Sequence, residues 1–137
     1  MTADSDQIVD FTKEDRVTIG TIRTSSVLSA INVAEFGNEV VAYVETRPGL
    51  NLLLNFEHVD YLSSAVLTEL LRINKAIEGV KGKLRLCSVS NVILEVFQIT
   101  NLDKMFTIFD EDLEGGLRRF QRALDIQAEE AAWKEPG

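Results

Sequence analysis

Residues 50–77 read LNLLLNFEHVDYLSSAVLTELLRINKAI and contain the clearest structural pattern in the sequence. The first part of this stretch has three consecutive leucines at residues 52–54, a pattern typical of a strand covered on both faces by helices. A short acidic turn follows, and a helix is predicted to begin at Ser63 and Ser64. Apolar residues then recur at helical spacing. The stretch therefore predicts a buried strand, a turn and an amphipathic helix.

The two serines stand where the predicted helix begins. Ser63 is a good N-cap, because its hydroxyl can accept a hydrogen bond from an unpaired backbone N–H. Ser64 falls in the first turn, where the remaining unpaired N–H groups and the helix dipole favour negative charge. The serine pair is therefore either a plain helix cap or a place that tolerates a phosphate. A polar strip is predicted on the outward face, formed by Thr68, Glu69, Arg72 and Lys75.

Composition limits the classes of function. The chain has 137 residues, enough for one domain with its own core. Its 22 acidic and 14 basic residues give a formal charge of −8, which argues against nucleic acid or an anionic membrane as partner and favours a basic protein surface. The start resembles no signal peptide, and no apolar run is long enough to span a bilayer. We therefore expect a soluble, cytoplasmic protein.

The segments outside residues 50–77 complete the predicted fold. The predicted order is strand, strand, helix, strand, helix, strand, helix, strand, helix, which indicates one α/β domain with a mixed, mainly parallel sheet of about five strands and about four helices. We expect a flexible N-terminal tail at residues 1–14, the domain at 15–126 and an acidic C-terminal tail at 127–137. The remaining strands are predicted at 16–23, around Val27 and Leu28, at 84–89 and at 105–109. The remaining helices are predicted to begin at Asn32, Ser90 and Asp112. Gly115 and Gly116 leave the exact start of the last helix open.

Enzyme chemistry is poorly supported. Ser64 (or Ser63), His58 and Asp60 are the residue types of a hydrolase triad, but no glycines flank the serines as in a nucleophile elbow. One histidine and one cysteine, Cys87, offer no metal-ligand spacing and no intramolecular disulfide. There is also no glycine-rich phosphate loop. We expect a non-enzymatic protein without a metal or cofactor.

The segment NFEHVDYLSSAVLTELL resembles the STAS domains, and within them the stand-alone anti-sigma factor antagonists of bacteria. The likeness extends from about Arg16 to Phe120, with weaker matches in KGKLRLCSV and VFQITNLDKMFTIFD. Aligned without gaps on Val59 and Leu67, the family's aspartate falls on Ser63 and its phosphorylated serine on Ser64. The departures from the family pattern are Ser63 for that aspartate, Ala65 for a serine or threonine, Val66 and Thr68 for two glycines, Ser29 for an aspartate and Asn101 for a glycine.

The resemblance implies partner switching. The unmodified protein would bind a serine-kinase anti-sigma factor and release a sigma factor, and phosphorylation of Ser64, or alternatively Ser63, would abolish binding. A homodimer is left open. The missing aspartate and glycines keep a second hypothesis open, a constitutive scaffold or ligand-binding STAS module that is not phosphorylated. The predicted partner-binding residues are Ser29, Asn32, Ser63, Ser64, Thr68, Glu69 and Arg72.

Overall fold

The computed structural model describes residues 8–23 and 33–134. Within them, the predicted strand at 16–23 and the elements described after residue 32 occur in the predicted order, but they are preceded by a strand in the predicted tail. A short 3-10 turn, Leu102–Lys104, precedes the last strand. The strands are β1 (Val9–Glu14), β2 (Val17–Ile22), β3 (Asn51–Asn55), β4 (Lys83–Cys87) and β5 (Thr107–Ile108), and the helices are α1 (Val33–Glu45), α2 (Ser64–Gly79), α3 (Asn91–Ile99) and α4 (Leu113–Lys134).

The strands form a single mixed sheet in the order β1-β2-β3-β4-β5. β1 pairs antiparallel with β2, and every later pair is parallel, so the mainly parallel sheet that the sequence predicts is confirmed. The carboxyl ends of β2 to β5 therefore share one edge, which we call the carboxyl edge. Their first residues share the opposite edge, the amino edge. In open parallel sheets, binding sites collect at the carboxyl edge.

Helices cover both faces of the sheet. Leu52 and Leu54 face the core formed with α1, α2 and α3, whereas Leu53 faces α4. Successive strand side chains point to opposite faces, so three consecutive buried leucines need cover on both. Leu52, Leu53 and Leu54 are each fully buried, which confirms the strand predicted from them. The α4 side is closed by Cys87, Phe109, Phe120 and Leu124.

The predicted N-terminal tail is wrong for residues 9–14, which form β1. Val9 is fully buried, and the carboxylate of Glu39 on α1 accepts hydrogen bonds from the N–H groups of Ile8 (3.0 Å) and Val9 (2.8 Å). The rest of β1 is mostly polar and exposed, as is common for an edge strand. β1 therefore supplies the antiparallel edge. The short strand predicted around Val27 and Leu28 lies outside the described residues.

The C-terminal part is helical where a tail was predicted. α4 continues through residue 126 to Lys134 without a break. It begins at Leu113, so both glycines lie inside it, and Asp112 Oδ1 accepts a hydrogen bond from the N–H of Gly115 at 2.9 Å. A Cβ added to Gly116 would lie 2.8 Å from the Cβ of Cys87. Gly116 therefore allows α4 to approach β4 closely.

Candidate functional site

The loop between β3 and α2 lies at the carboxyl edge and is anchored at both ends. Asn55 closes β3, is only 1% exposed and accepts a hydrogen bond through Oδ1 from the N–H of Glu57 at 3.3 Å. The N–H of Phe56 donates to the carbonyl of Cys87 at 3.0 Å, and that of Val59 donates to the carbonyl of Phe56 at 2.9 Å. Phe56 and Val59 are both buried. These contacts fix the position of the loop and therefore the place where α2 begins.

Ser63 is the N-cap of α2, as predicted. Its backbone is extended (φ −97°, ψ 166°), and its Oγ accepts a hydrogen bond from the N–H of Val66 at 3.3 Å. An N-cap serine satisfies one of the N–H groups that the helix start leaves unpaired. The Ser63 hydroxyl is thus half-buried and already engaged in holding the helix start.

Ser64 is the first residue of α2, and its side chain is exposed. Within the described part of the chain its hydroxyl makes no hydrogen bond; only its carbonyl is engaged, accepting from Thr68 Oγ1 at 3.1 Å. The first turn contains no acidic residue, so the positive end of the helix dipole is not neutralised there. The Ser64 hydroxyl is therefore open to modification in a way that the Ser63 hydroxyl is not.

The loop in front of Ser64 has acidic side chains. Glu57 and Asp60 are exposed, and the Nε2 atom of His58 lies 3.9 Å from Glu57 Oε2. Among the described residues, no hydrogen bond joins His58 to Ser63, Ser64 or Asp60. The three residue types of a hydrolase triad are therefore near one another in sequence, but the hydrogen bonds that a triad needs are not formed in this structure.

The predicted polar strip is only partly on the surface. Thr68 and Arg72 are exposed, but the side chain of Glu69 is 15% exposed, so the prediction that Glu69 faces outward is wrong. Glu69 Oε1 lies 3.4 Å from Arg72 Nε and accepts no hydrogen bond among the described residues. The carboxylate lies over Gly37 of α1, where an added Cβ would be 1.7 Å from Oε1. Glu69 thus packs between the two helices.

Arg72 links α2 to α1. Its Nη2 donates to Asn38 Oδ1 at 2.5 Å, in addition to the Glu69 contact on its own helix. The sequence did not point to Asn38 or Gly37, since a contact between two helices leaves no local pattern. Two other predicted partner-binding residues, Ser29 and Asn32, lie outside the described residues. The structure therefore brings together Ser63, Ser64, Thr68, Glu69 and Arg72 on α2.

Exposed apolar side chains also occur at the carboxyl edge. Tyr61, two residues before Ser63, is 53% exposed, and Val92 in the first turn of α3 is 63% exposed. They follow β3 and β4, which are neighbouring strands, so both lie at the same edge of the sheet. Large apolar side chains left on a surface often mark a protein interface. Tyr61 could have been found from the sequence, because it is an aromatic residue in a polar turn.

No group of three or more histidine, cysteine, aspartate or glutamate side chains among residues 8–23 and 33–134 has an arrangement that could hold a metal ion. None of the helices in these ranges is both long and apolar enough to cross a bilayer.

Comparison with known proteins identifies the family. Residues 10–112 match the model of the STAS domain, so the chain belongs to the STAS domain family. BtrV of Bordetella bronchiseptica, named as a candidate anti-sigma factor antagonist, is 29% identical over 98 residues, which cover 72% of this chain and 83% of BtrV.

Solved structures share the fold. An anti-sigma-factor antagonist (STAS) domain protein from Planctomyces limnophilus matches with a TM-score of 0.72 and 22% identity, over 82% of this chain and 97% of that one. The anti-sigma factor antagonist SpoIIAA in its unphosphorylated form matches with a TM-score of 0.68 and 18% identity, over 82% of this chain and 96% of its own. These likenesses establish the fold of the chain.

One departure from the family pattern has a structural explanation. Asn101, which stands where the resemblance expects a glycine, has a left-handed backbone with φ of 62°. Asparagine tolerates this conformation better than most residues other than glycine. The substitution therefore keeps the turn between α3 and the 3-10 helix.

Proposed function

We propose that this protein is a non-enzymatic, cytoplasmic anti-sigma factor antagonist that acts by partner switching with a serine-kinase anti-sigma factor. Ser64 is the phosphoacceptor in this proposal. The main support for this assignment is that the two serines differ in their contacts. Ser63 caps α2, whereas the exposed Ser64 hydroxyl has no hydrogen-bond partner among the described residues. The relatives named as anti-sigma factor antagonists support the choice of partner.

The chemical step is a phosphoryl transfer carried out by the partner. The Ser64 Oγ attacks the γ-phosphorus of ATP, the bond from that phosphorus to the β,γ-bridging oxygen breaks, and ADP leaves. The hydroxyl proton passes to a base of the kinase. Ser64 gains a charge of about −1.5 to −2 at neutral pH. The start of α2 can hold this charge locally, because its N–H groups and dipole favour an anion.

The effect on the partner follows from the charges around Ser64. The carboxyl edge already has Glu57 and Asp60 in the loop before α2, and Glu111 follows β5. We expect the part of the partner that covers Ser64 to be uncharged, because the unmodified serine offers it no negative charge to pair with. A new dianion at Ser64 must be desolvated when the partner covers it, which opposes binding. Phosphorylation therefore releases the partner.

The proposal is tested by incubating the protein with the purified serine-kinase anti-sigma factor of its host and Mg·ATP, and mapping phosphate by tandem mass spectrometry. We expect modification of Ser64 in the wild type and none in Ser64→Ala. Ser90→Ala is the matched control, since Ser90 is an exposed N-cap serine at the same edge. Its phosphorylation should equal that of the wild type. Modification confined to another residue, or retained in Ser64→Ala, refutes the site assignment.

A second candidate is a constitutive STAS scaffold. It is favoured by the side chains that replace the family's glycines near the helix start: Thr68 is exposed one turn after Ser64 and could obstruct a kinase. Under this alternative, Ser64→Asp binds the natural partner as tightly as the wild type does. Under partner switching, Ser64→Asp binds more weakly, and the two functions are separated by one titration.

A further inference from the structure

The last part of α4 extends beyond the body of the protein. Leu124 is the last buried residue of the helix, and residues 125–133 are all exposed. At 1.5 Å per residue, residues 125–134, which we call the α4 tip, extend about 15 Å. Ile126 is 49% and Trp133 is 89% exposed. They are seven residues apart, so they share one face of the helix.

The tip projects from the amino edge. α4 begins near the carboxyl edge, where the N–H of Ser88 donates to the carbonyl of Glu111 at 2.8 Å. Further along, Gln121 Nε2 donates to the carbonyl of Glu14 at 3.3 Å, and Asp125 pairs with Arg16. Glu14 and Arg16 lie in and beside the β1–β2 turn at the amino edge. The tip therefore leaves the molecule at the amino edge, on the α4 face of the sheet.

A complementary groove lies on the opposite face. It has a volume of about 550 Å³ and runs between the second halves of α1 and α2. Val41, Ala42 and Ala76 provide small apolar side chains, and Arg72 and Lys75 provide positive charge. Asn38 and Glu45 complete the lining, and Arg72 already contacts Glu69 and Asn38. Lys75 forms no ion pair with the described part of the chain. Both helices run from the carboxyl edge toward the amino edge, because each connects two parallel strands. We call this the α1–α2 groove.

We propose that the α4 tip of a second copy of this chain docks in the α1–α2 groove, with Trp133 against the small side chains and Glu129 and Glu130 beside Lys75 and Arg72. The docking is reciprocal. The two copies are related by a two-fold axis that lies in the plane of the sheet, beyond the amino edge, and runs perpendicular to the strands. In the second copy, the strands therefore run in the opposite direction and the two faces of the sheet are exchanged. The axis brings the tip of each copy, on the α4 face, to the groove of the other, and so gives a closed dimer.

Charge complementarity supports a second copy as the occupant. Glu129 and Glu130 are exposed and form no ion pair with the side chains described for residues 8–23 and 33–133. Among the described residues, the unpaired positive charge that faces them in the proposed dimer is that of Lys75, whereas the amino edge that each tip must cross has side chains of both charges. Opposite charges at matching places favour one docking orientation over others. The basic residues at this edge are Lys13, Arg16, Arg47, Lys81 and Lys83, and the acidic ones are Glu14, Asp15, Glu45 and Glu78.

The dimer is separate from the proposed phosphorylation. The groove occupies the half of α2 beyond Arg72, while Ser64 opens the helix two turns earlier. Ser64 therefore stays accessible when the groove is filled. Dimerisation can fail while phosphorylation succeeds, and the reverse also holds, so the two proposals are tested independently.

The test is the mass of the full chain in solution by sedimentation equilibrium, with the fluorescence of Trp133, the chain's single tryptophan, as a second measurement. We expect a monomer–dimer equilibrium in the wild type, with tryptophan emission shifting to shorter wavelength as the dimer forms. Trp133→Ala should weaken the dimer at least about tenfold. Ile99→Ala, at an apolar side chain that is 76% exposed on α3, is the matched control and should not.

A charge exchange makes the test specific to this pairing. Lys75→Glu alone should weaken the dimer, and the triple variant Lys75→Glu, Glu129→Lys, Glu130→Lys should regain most of the lost affinity. A wild type that stays monomeric throughout the micromolar range overturns the proposal. So does a dimer that survives Trp133→Ala unchanged, or a charge exchange that restores nothing.

Discussion

The side chains of Asn55 and Glu57 are hydrogen-bonded to each other where β3 ends and the loop before α2 begins. Asn55 Nδ2 donates to Glu57 Oε1 at 2.8 Å, and Asn55 Oδ1 accepts from the N–H of Glu57 at 3.3 Å. Asn55 is almost fully buried, next to Thr21 on β2. The pair therefore fixes the first turn of the segment that ends at Ser63 and Ser64.

We expect Asn55→Ala to destabilise the protein by about 1–3 kcal/mol, since it removes the hydrogen bonds that this buried side chain makes with Glu57 and Thr21. Urea unfolding followed by circular dichroism measures this change. Asn55→Asp should also destabilise the fold, because it places a second carboxylate against Glu57. If Asn55→Ala unfolds at the wild-type midpoint, the pair does not hold the loop.

The two serines should differ in their effect on stability. Ser63→Ala removes the bond to Val66 N–H and is expected to cost about 1 kcal/mol. Ser64→Ala should change the free energy of unfolding by less than about 0.5 kcal/mol, because the exposed hydroxyl makes no bond among the described residues and alanine favours the helix. Thermal and urea unfolding of both variants test this. Equal losses would contradict the roles assigned to the serines.

Gly79 and Gly82, near the C-terminal end of α2, differ in the space around them, so that the same substitution at each allows a controlled comparison. A Cβ on Gly82 would lie 2.1 Å from the carbonyl oxygen of Leu50, a backbone atom, whereas a Cβ on Gly79 would have no neighbour within 4 Å. We expect Gly82→Ala to destabilise the protein by about 1–3 kcal/mol. Gly79→Ala should be neutral or stabilising by up to about 1 kcal/mol. Similar unfolding midpoints for the two variants would refute this close approach of β3 and β4.

The thiol of Cys87 should be unreactive in the folded protein. Burial, with a smaller contribution from nearby carboxylates, raises the pKa of Cys87 from 9.0 to about 12. The thiolate then forms more easily in the unfolded chain than in the folded one. The contribution of the neutral Cys87 thiol to the free energy of unfolding is complete below pH 9 and is lost as the pH rises from about 9 toward 12. We expect Cys87→Ala to lose less stability than the wild type over that interval, and iodoacetamide at pH 8 to label only unfolded wild-type protein.

The sequence predicted the parts of the fold that leave a strong local pattern. Leu52, Leu53 and Leu54 could be recognised as a two-sided buried strand, and Ser63 as a cap followed by apolar residues at helical spacing. The left-handed turn at Asn101 was predictable for the same kind of reason, since few residue types adopt that conformation.

The rest depends on contacts between residues far apart in the chain. β1 was mistaken for a tail because its side chains are mostly polar, and its pairing with β2 and Glu39 is not visible locally. Glu69 was placed on the surface because it is charged, yet Gly37 of α1 opens a space for its carboxylate between the helices. The sequence did not predict that α4 continues beyond residue 126. The residues after Leu124 have no buried face, so apolar side chains do not recur there at helical spacing.

Partner switching at Ser64 is tested most directly by titration calorimetry of the serine-kinase anti-sigma factor with unmodified protein and with protein quantitatively phosphorylated on Ser64. We expect the unmodified protein to bind and the phosphorylated protein to bind at least about 100-fold more weakly, a loss of about 2.8 kcal/mol. Equal affinity of the two forms would contradict the proposed switch.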